Sequence, residues 1–120
     1  MARVLLVDDD ADIRDTTTLR LELEGHEVTA VPDAETALTA ATTGAGFDIA
    51  VVDVELPGTD GVALVKTLRD LDATRHLPLV FYTARWSAEA AAEGTVLADA
   101  YLTKRQPLSQ LLDTITTLTR

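Results

Sequence analysis

Apolar residues in this chain gather into short runs, and four of those runs stop on a chemically useful polar residue. Val4-Leu5-Leu6-Val7 leads into Asp8-Asp9-Asp10, and Ile49-Ala50-Val51-Val52 into Asp53. Leu79-Val80-Phe81-Tyr82 leads into Thr83, and Tyr101-Leu102-Thr103 into Lys104. The runs predict strands over 3–8, 48–53, 78–83 and 99–103, with 48–53 apolar enough to be buried on both faces. Residues 27–31 alternate and predict a further strand. The intervening segments predict helices. One spans 11–24, ended by Gly25, with an imperfect apolar stripe and three poor helix formers at Thr16, Thr17 and Thr18. Asp33 can cap a second, running to 43, with Ala34, Ala37, Leu38 and Ala41 on one face. Asp60 can cap a third, carrying Leu64, Val65, Leu68 and Leu71, after a turn at Pro57-Gly58. An alanine-rich fourth is predicted over 86–94. A fifth follows Pro107, with Leu108, Leu111, Leu112, Ile115 and Leu118 as its buried stripe.

Five strands alternating with five helices imply an α/β domain, with a parallel sheet covered on both faces. Right-handed crossovers restrict the arrangement, and a flavodoxin-like (βα)5 sandwich of strand order 2-1-3-4-5 is the natural candidate. All four polar endings would then share one sheet edge. Ligands of such sheets bind beyond the carboxyl ends of the strands, near the switch between the first and third, where Asp9 and Asp53 would sit.

The 120 residues suffice for one domain, residues 1–120, and are too few for two. No apolar stretch approaches the ~18 residues that span a bilayer, so no membrane association is expected. Only four apolar residues precede the three aspartates, which does not resemble a secretory signal, and the cytoplasm is the expected location. There is no cysteine, which excludes disulfides, thiolate metal sites and a Cys nucleophile. With 20 acidic residues against 10 basic ones the formal net charge is -10, which argues against direct nucleic-acid binding. Solubility accounts for scattered Asp and Glu. It accounts poorly for three aspartates directly behind a buried strand.

Carboxylates gathered on one edge repel one another unless a cation joins them. An all-oxygen ligand set without His or Cys favours Mg²⁺, with Mn²⁺ as the alternative. Asp53, closing a run of buried valines, is the best nucleophile: a carboxylate can attack phosphorus and form an acyl phosphate. That transfer needs charge neutralisation more than acid–base chemistry. Lys104 can supply a point charge and Thr83 a hydroxyl donor. Singly, each has a plainer reading. Asp10 suits a helix cap, Lys104 a solvated lysine, Thr83 a strand β-branched residue and Tyr101 a core aromatic. His26 and His76 read as loop residues, and Trp86 as surface packing.

Taken together, in order, four segments resemble the receiver domain of bacterial two-component response regulators. They are Val4 to Asp10, Asp48 to Gly61, Tyr82-Thr83-Ala84-Arg85 and Tyr101-Leu102-Thr103-Lys104. The resemblance covers essentially the whole chain, with no output domain in it. It implies that Asp53 accepts a phosphoryl group from a sensor histidine kinase or phosphotransfer protein. It also implies that Asp8, Asp9, Asp53 and the backbone carbonyl of Glu55 hold Mg²⁺, Asp8 largely through water, and that Lys104 pairs with the phosphoryl group. Thr83 and Tyr101 would act as the switch, altering the surface of the fourth helix, fifth strand and fifth helix for a downstream partner or a missing output domain. Such a protein works as a monomer or a phosphorylation-dependent dimer. It is not an enzyme in the ordinary sense; its only reactions are slow self-phosphorylation from small donors and self-dephosphorylation. Glu55 and Arg85, two residues past Asp53 and Thr83, occupy positions that influence phosphoryl lifetime in this family.

The chain departs from that pattern in two places. Arg105 stands where the family usually has proline after the lysine. The Lys104–Arg105 bond is therefore expected either trans, with a rearranged loop, or cis at ~2.5–4 kcal/mol. A trans bond with Lys104 still aimed at Asp53 would make the proline dispensable. Leu97 stands where a glycine usually precedes the tyrosine by four residues, and the segment from Thr83 to Lys104 is about one residue short, so the fourth helix is expected to be short, shifted or mobile. Two other functions compete. A phosphorylation-independent interaction module would be favoured by loss of any of Asp8, Asp9, Asp53, Thr83 or Lys104, all of which are present. An aspartyl-phosphate phosphatase usually has a second Asp two residues after its nucleophile, where this chain has Glu55.

Overall fold

A computed structural model describes residues 1–44, 46–84 and 88–120. Five strands, β1 (Arg3–Val7), β2 (Glu27–Val31), β3 (Ile49–Val52), β4 (Leu79–Thr83) and β5 (Ala100–Thr103), form one sheet. Their order is β2-β1-β3-β4-β5 and every pairing is parallel, as the sequence pattern predicts. Five helices connect them: α1 (Ala11–Leu23), α2 (Ala34–Thr43), α3 (Gly61–Asp70), α4 (Ala88–Leu97) and α5 (Leu108–Leu118). Among the described residues no helix is long and apolar enough to cross a membrane.

The strand pleat sorts the core into two layers. Leu5, Val7, Ala50, Val52, Leu79 and Phe81 face Ala34 and Ala37 of α2 and Leu64, Val65 and Leu68 of α3. Val4, Leu6, Ile49, Val51, Val80, Tyr82 and Leu102 face Leu21 of α1 and Leu111 and Ile115 of α5. Strands β1, β3 and β4 are covered on both sides, which is why their runs are continuously apolar rather than alternating. Each fully buried Leu or Val here contributes roughly 1.5–3 kcal/mol. The outer strand β2 buries only Val31.

The weak stripe of α1 is real: only Thr17 and Leu21 are buried, while Leu19 and Leu23 are 60% and 73% exposed. Its start is secured instead by polar contacts. Asp10 Oδ1 accepts the N–H groups of Asp12 and Ile13, and the Arg14 guanidinium donates to the Asp8 carbonyl at 2.8 Å. Asp33 and Asp60 cap α2 and α3 as expected. Leu71, placed by periodicity in the buried stripe of α3, is its C-cap and 36% exposed, because the chain turns extended there.

Helix α4 differs most from expectation. Its described part runs from Ala88 to Leu97, past the predicted end at residue 94. Two contacts explain the extension. The Arg69 guanidinium caps its C-terminal end, with Nε donating to the Leu97 carbonyl at 2.8 Å. And Gly94 lies in the helix because the Tyr101 ring occupies the space beneath it: a Cβ on Gly94 would fall 2.5 Å from Tyr101 Cδ2. A glycine seven residues before Tyr101, inside α4, thus stands against the ring in this chain, while Leu97 ends the helix.

Candidate phosphoacceptor and cation site

Register brings the polar endings together. Val7 pairs with Val52, so Asp8 and Asp53, the next residue of each chain segment, emerge side by side. Val52 pairs with Phe81, and Thr83 with Thr103, which sets Thr83 and Lys104 along the same edge. This is the switch point of the sheet, between β1 and β3, whose outgoing connections leave on opposite faces.

At the centre stands the Lys104 ammonium. Its Nζ lies 2.6 Å from Asp8 Oδ2 and 2.8 Å from Asp53 Oδ2. The remaining oxygens are fixed by backbone donors: the Asp10 N–H donates to Asp8 Oδ1 at 3.0 Å, and the Glu55 N–H to Asp53 Oδ1 at 3.0 Å. Asp8 is 1% exposed and Asp53 6%; Thr83 is fully buried, whereas Asp9 is open to solvent. Asp8, Asp9 and Asp53 each present a carboxylate oxygen within 4.8 Å of the others'. Three acidic groups and one ammonium leave a surplus of negative charge, open on the Asp9 side. Oxygen donors at this spacing fit a hard divalent cation.

The electrostatics follow from burial. Desolvation pushes the Asp8 carboxyl above its ordinary range, despite the Lys104 ammonium and the Asp10 N–H pulling it down. Burial also pulls Lys104 down, but hydrogen bonds to Asp53 and Asp8 and their charges outweigh it, so its pKa is net raised. Asp8 is therefore held in an environment that favours a positively charged neighbour.

The loop after Asp53 is set by a close backbone approach. The Gly61 N–H donates to the Val54 carbonyl at 2.9 Å, and a Cβ at position 61 would fall 2.0 Å from the Asp53 carbonyl oxygen. Only glycine fits there. The requirement was invisible in the sequence, because it comes from two segments touching rather than from local turn chemistry. Arg14, which holds the Asp8 carbonyl, was likewise unforeseen. Tyr101 packs on Phe81 at a ring-centroid distance of 5.8 Å. Arg85 and Trp86 lie outside the described residues. There is no cis peptide bond among the described residues, so the Lys104–Arg105 bond is trans, yet Lys104 still reaches both aspartates. Proline is dispensable for that placement.

The chain is similar to known proteins in sequence and in fold. The family described as "Response regulator receiver domain" matches residues 4–116. The transcriptional regulatory protein CseB of Streptomyces avermitilis is 41% identical over 102 residues, covering 84% of this chain and 42% of that protein. The chain spans about half the length, or less, of such curated relatives. Among solved structures, the receiver domain of the Francisella response regulator 1452 superposes with a TM-score of 0.92 at 30% identity, covering 99% of this chain and 97% of that one. The Thermotoga maritima response regulator TrrA, solved in complex with Mg²⁺-BeF, gives 0.87 at 27% identity over 98% and 99%.

Proposed function

The chain belongs to the response regulator receiver domains of two-component systems, and from that premise we propose that it is a phosphorylation-dependent switch with Asp53 as acceptor. The observation that carries this reading is the Asp53 carboxylate itself. It is buried at a strand end, held by the Glu55 N–H on one oxygen and by Lys104 on the other, and sits within 4.8 Å of two further carboxylates.

In the proposed reaction an Asp53 oxygen attacks the phosphorus of a phosphohistidine on a sensor kinase or phosphotransfer protein. The new O–P bond forms as the P–N bond breaks, and the electron pair returns to the imidazole nitrogen of the donor. Lys104 then pairs with a phosphoryl oxygen, exchanging a carboxylate contact for one with greater charge. Asp8, Asp9, Asp53 and the Glu55 carbonyl would hold Mg²⁺, whose chemistry is to neutralise the phosphoryl oxygens; the complex reported for TrrA supports this. The acyl phosphate carries about two negative charges where the Asp53 carboxylate carried one, so the sheet edge gains about one negative charge and three strong acceptor oxygens. Thr83, buried at the end of β4, would respond first, and Tyr101 of β5, packed on Phe81 and close to Gly94, would follow. The α4–β5–α5 face would pass the change to a downstream partner or an output domain. Glu55, exposed and two residues past Asp53, is positioned to influence phosphoryl lifetime, as is Arg85 by sequence. Residues 1–120 would act as one receiver unit.

The test is incubation with acetyl phosphate and Mg²⁺ followed by intact-protein mass measurement. A gain of one phosphoryl group, absent in Asp53→Asn and without divalent cation, is expected. No gain in the native protein with a competent donor would overturn the reading in favour of a phosphorylation-independent interaction module.

A further inference from the structure

Lys104 follows β5, the terminal strand of the sheet, and its charge sits on a flexible four-carbon stem. Something must hold its backbone. On one side the Lys104 N–H donates to the Thr83 carbonyl of β4 at 2.8 Å. On the other side, among the described residues, β5 has no neighbouring strand. The Thr103 N–H, which alternates away from β4, is taken by a side chain: it donates to Gln106 Oε1 at 3.1 Å. The Gln106 N–H returns to the Thr103 carbonyl at 3.1 Å, and the Arg105 N–H to Thr103 Oγ1 at 3.2 Å. Lys104 and Arg105 are thus the two central residues of a turn whose ends are tied by Gln106 and Thr103. Pro107 follows directly and starts α5, so the turn cannot slide along the helix.

We infer that Gln106 is the positioning residue of Lys104: its side-chain amide closes the turn that aims the ammonium at Asp8 and Asp53. Gln106 is half-buried and also lines a pocket with Lys104, Tyr82, Ile13 and Thr17, so its side chain is held on the site's side of the loop. Among the described residues no other side chain supplies an acceptor to the Thr103 N–H. The inference rests on the phosphoacceptor reading for its rate consequence, while the geometry of Lys104 can be read independently.

Two variants separate the acceptor from the bulk. Gln106→Met keeps the length and removes the acceptor; Gln106→Glu keeps an acceptor oxygen. In magnesium-free protein the Lys104 ammonium, hydrogen-bonded to two buried carboxylates, is expected to give a resolved ¹H–¹⁵N lysine side-chain signal. Gln106→Met should lose it to solvent exchange and Gln106→Glu should retain it. In the phosphodonor assay at saturating Mg²⁺, Gln106→Met should slow uptake about three- to ten-fold, the range that one neutral hydrogen bond commands. In a Lys104→Ala background the same change should cost nothing further, because a positioning effect vanishes with the group positioned. A Gln106→Met protein with both the native ammonium signal and the native rate would overturn the inference. So would an equal slowing in the Lys104→Ala background. If the native protein takes up no phosphoryl group, the functional reading fails, and the ammonium signal alone decides the role of Gln106.

Discussion

Replacing Lys104 by methionine keeps most of the side chain's length and removes its charge. Two carboxylates whose side chains are 2% and 8% exposed would then face each other without the ammonium that now contacts both. Their oxygens come within 4.8 Å. At an effective dielectric of about 20, two unit charges at that distance repel by about 3.5 kcal/mol. Breaking a buried pair by removing one partner costs about 3–5 kcal/mol, an independent route to the same size. Solvent on the Asp9 side and proton uptake by one carboxyl relieve part of this, leaving an expected loss of about 2–3 kcal/mol at pH 7.5 without divalent cation. With a urea slope near 2 kcal/mol per M, the unfolding midpoint should fall by about 1–1.5 M at unchanged slope. The pH dependence has a defined sign. Burial pulls Lys104 down, its bonds to Asp53 and Asp8 raise it further than that, and the folded pKa lies above the ordinary one. Its stabilisation is therefore complete below the ordinary lysine pKa and is lost as pH rises through the raised folded value. At the acid end Asp8, raised by burial, sheds its cost as pH falls through its folded pKa, so the variant regains ground there. Mg²⁺ should stabilise Lys104→Met more than the native protein, since no ammonium competes for the carboxylates. Equal midpoints in EDTA at pH 7.5, or equal shifts on adding Mg²⁺, would refute the reasoning.

Three further outcomes are expected. Gly61→Ala forces a Cβ to 2.0 Å from the Asp53 carbonyl oxygen, so it should destabilise by about 1–3 kcal/mol and slow phosphoryl uptake. A variant with native melting temperature and native uptake would mean that the loop yields without strain. The Thr18 hydroxyl is buried without a hydrogen-bond partner, so Thr18→Val should gain about 1 kcal/mol in urea unfolding; a loss would count against that assignment. The Thr36 N–H, donating to Asp33 Oδ1 at 2.8 Å, holds the Asp33 carboxyl below its ordinary value. A lowered folded pKa gives stability that is present above the ordinary value and lost as pH falls through the folded one. Melting temperatures of Asp33→Ala should therefore lie below native at pH 7 and converge in strong acid, whereas a pH-independent gap would exclude the charge as its source.

Much of the fold was legible because its signals are local. A strand buried on both faces must be apolar along its length, and 49–52 and 79–82 are. Asp33 and Asp60 announced their helices because a cap acts on N–H groups two or three residues away. The sheet order followed from crossover handedness once five strands were counted. The candidate site was legible for the same reason: parallel strands all end on one edge, so a polar residue after each run must meet the others.

What remained hidden depends on residues far apart in sequence. Helix α4 has no strong stripe, and its length is decided by Arg69 at its end and by the Tyr101 ring under Gly94. Leu71 matched its helix period but lay past the point where α3 ends. The requirement for glycine at 61 arises only when the loop folds back onto Asp53. Lys104 is the sharpest case. Its presence at a strand end was readable, but its aim was not, because Arg105 follows it and a trans bond left the loop's course open. The tertiary structure resolved this through a turn tied by Gln106 on the unpaired side of a terminal strand. By itself the sequence determined which groups the sheet edge would carry. Only the folded chain decided that the ammonium bridges two of the three carboxylates, because ion-pair geometry at 2.6 and 2.8 Å depends on register and loop closure, not on pattern.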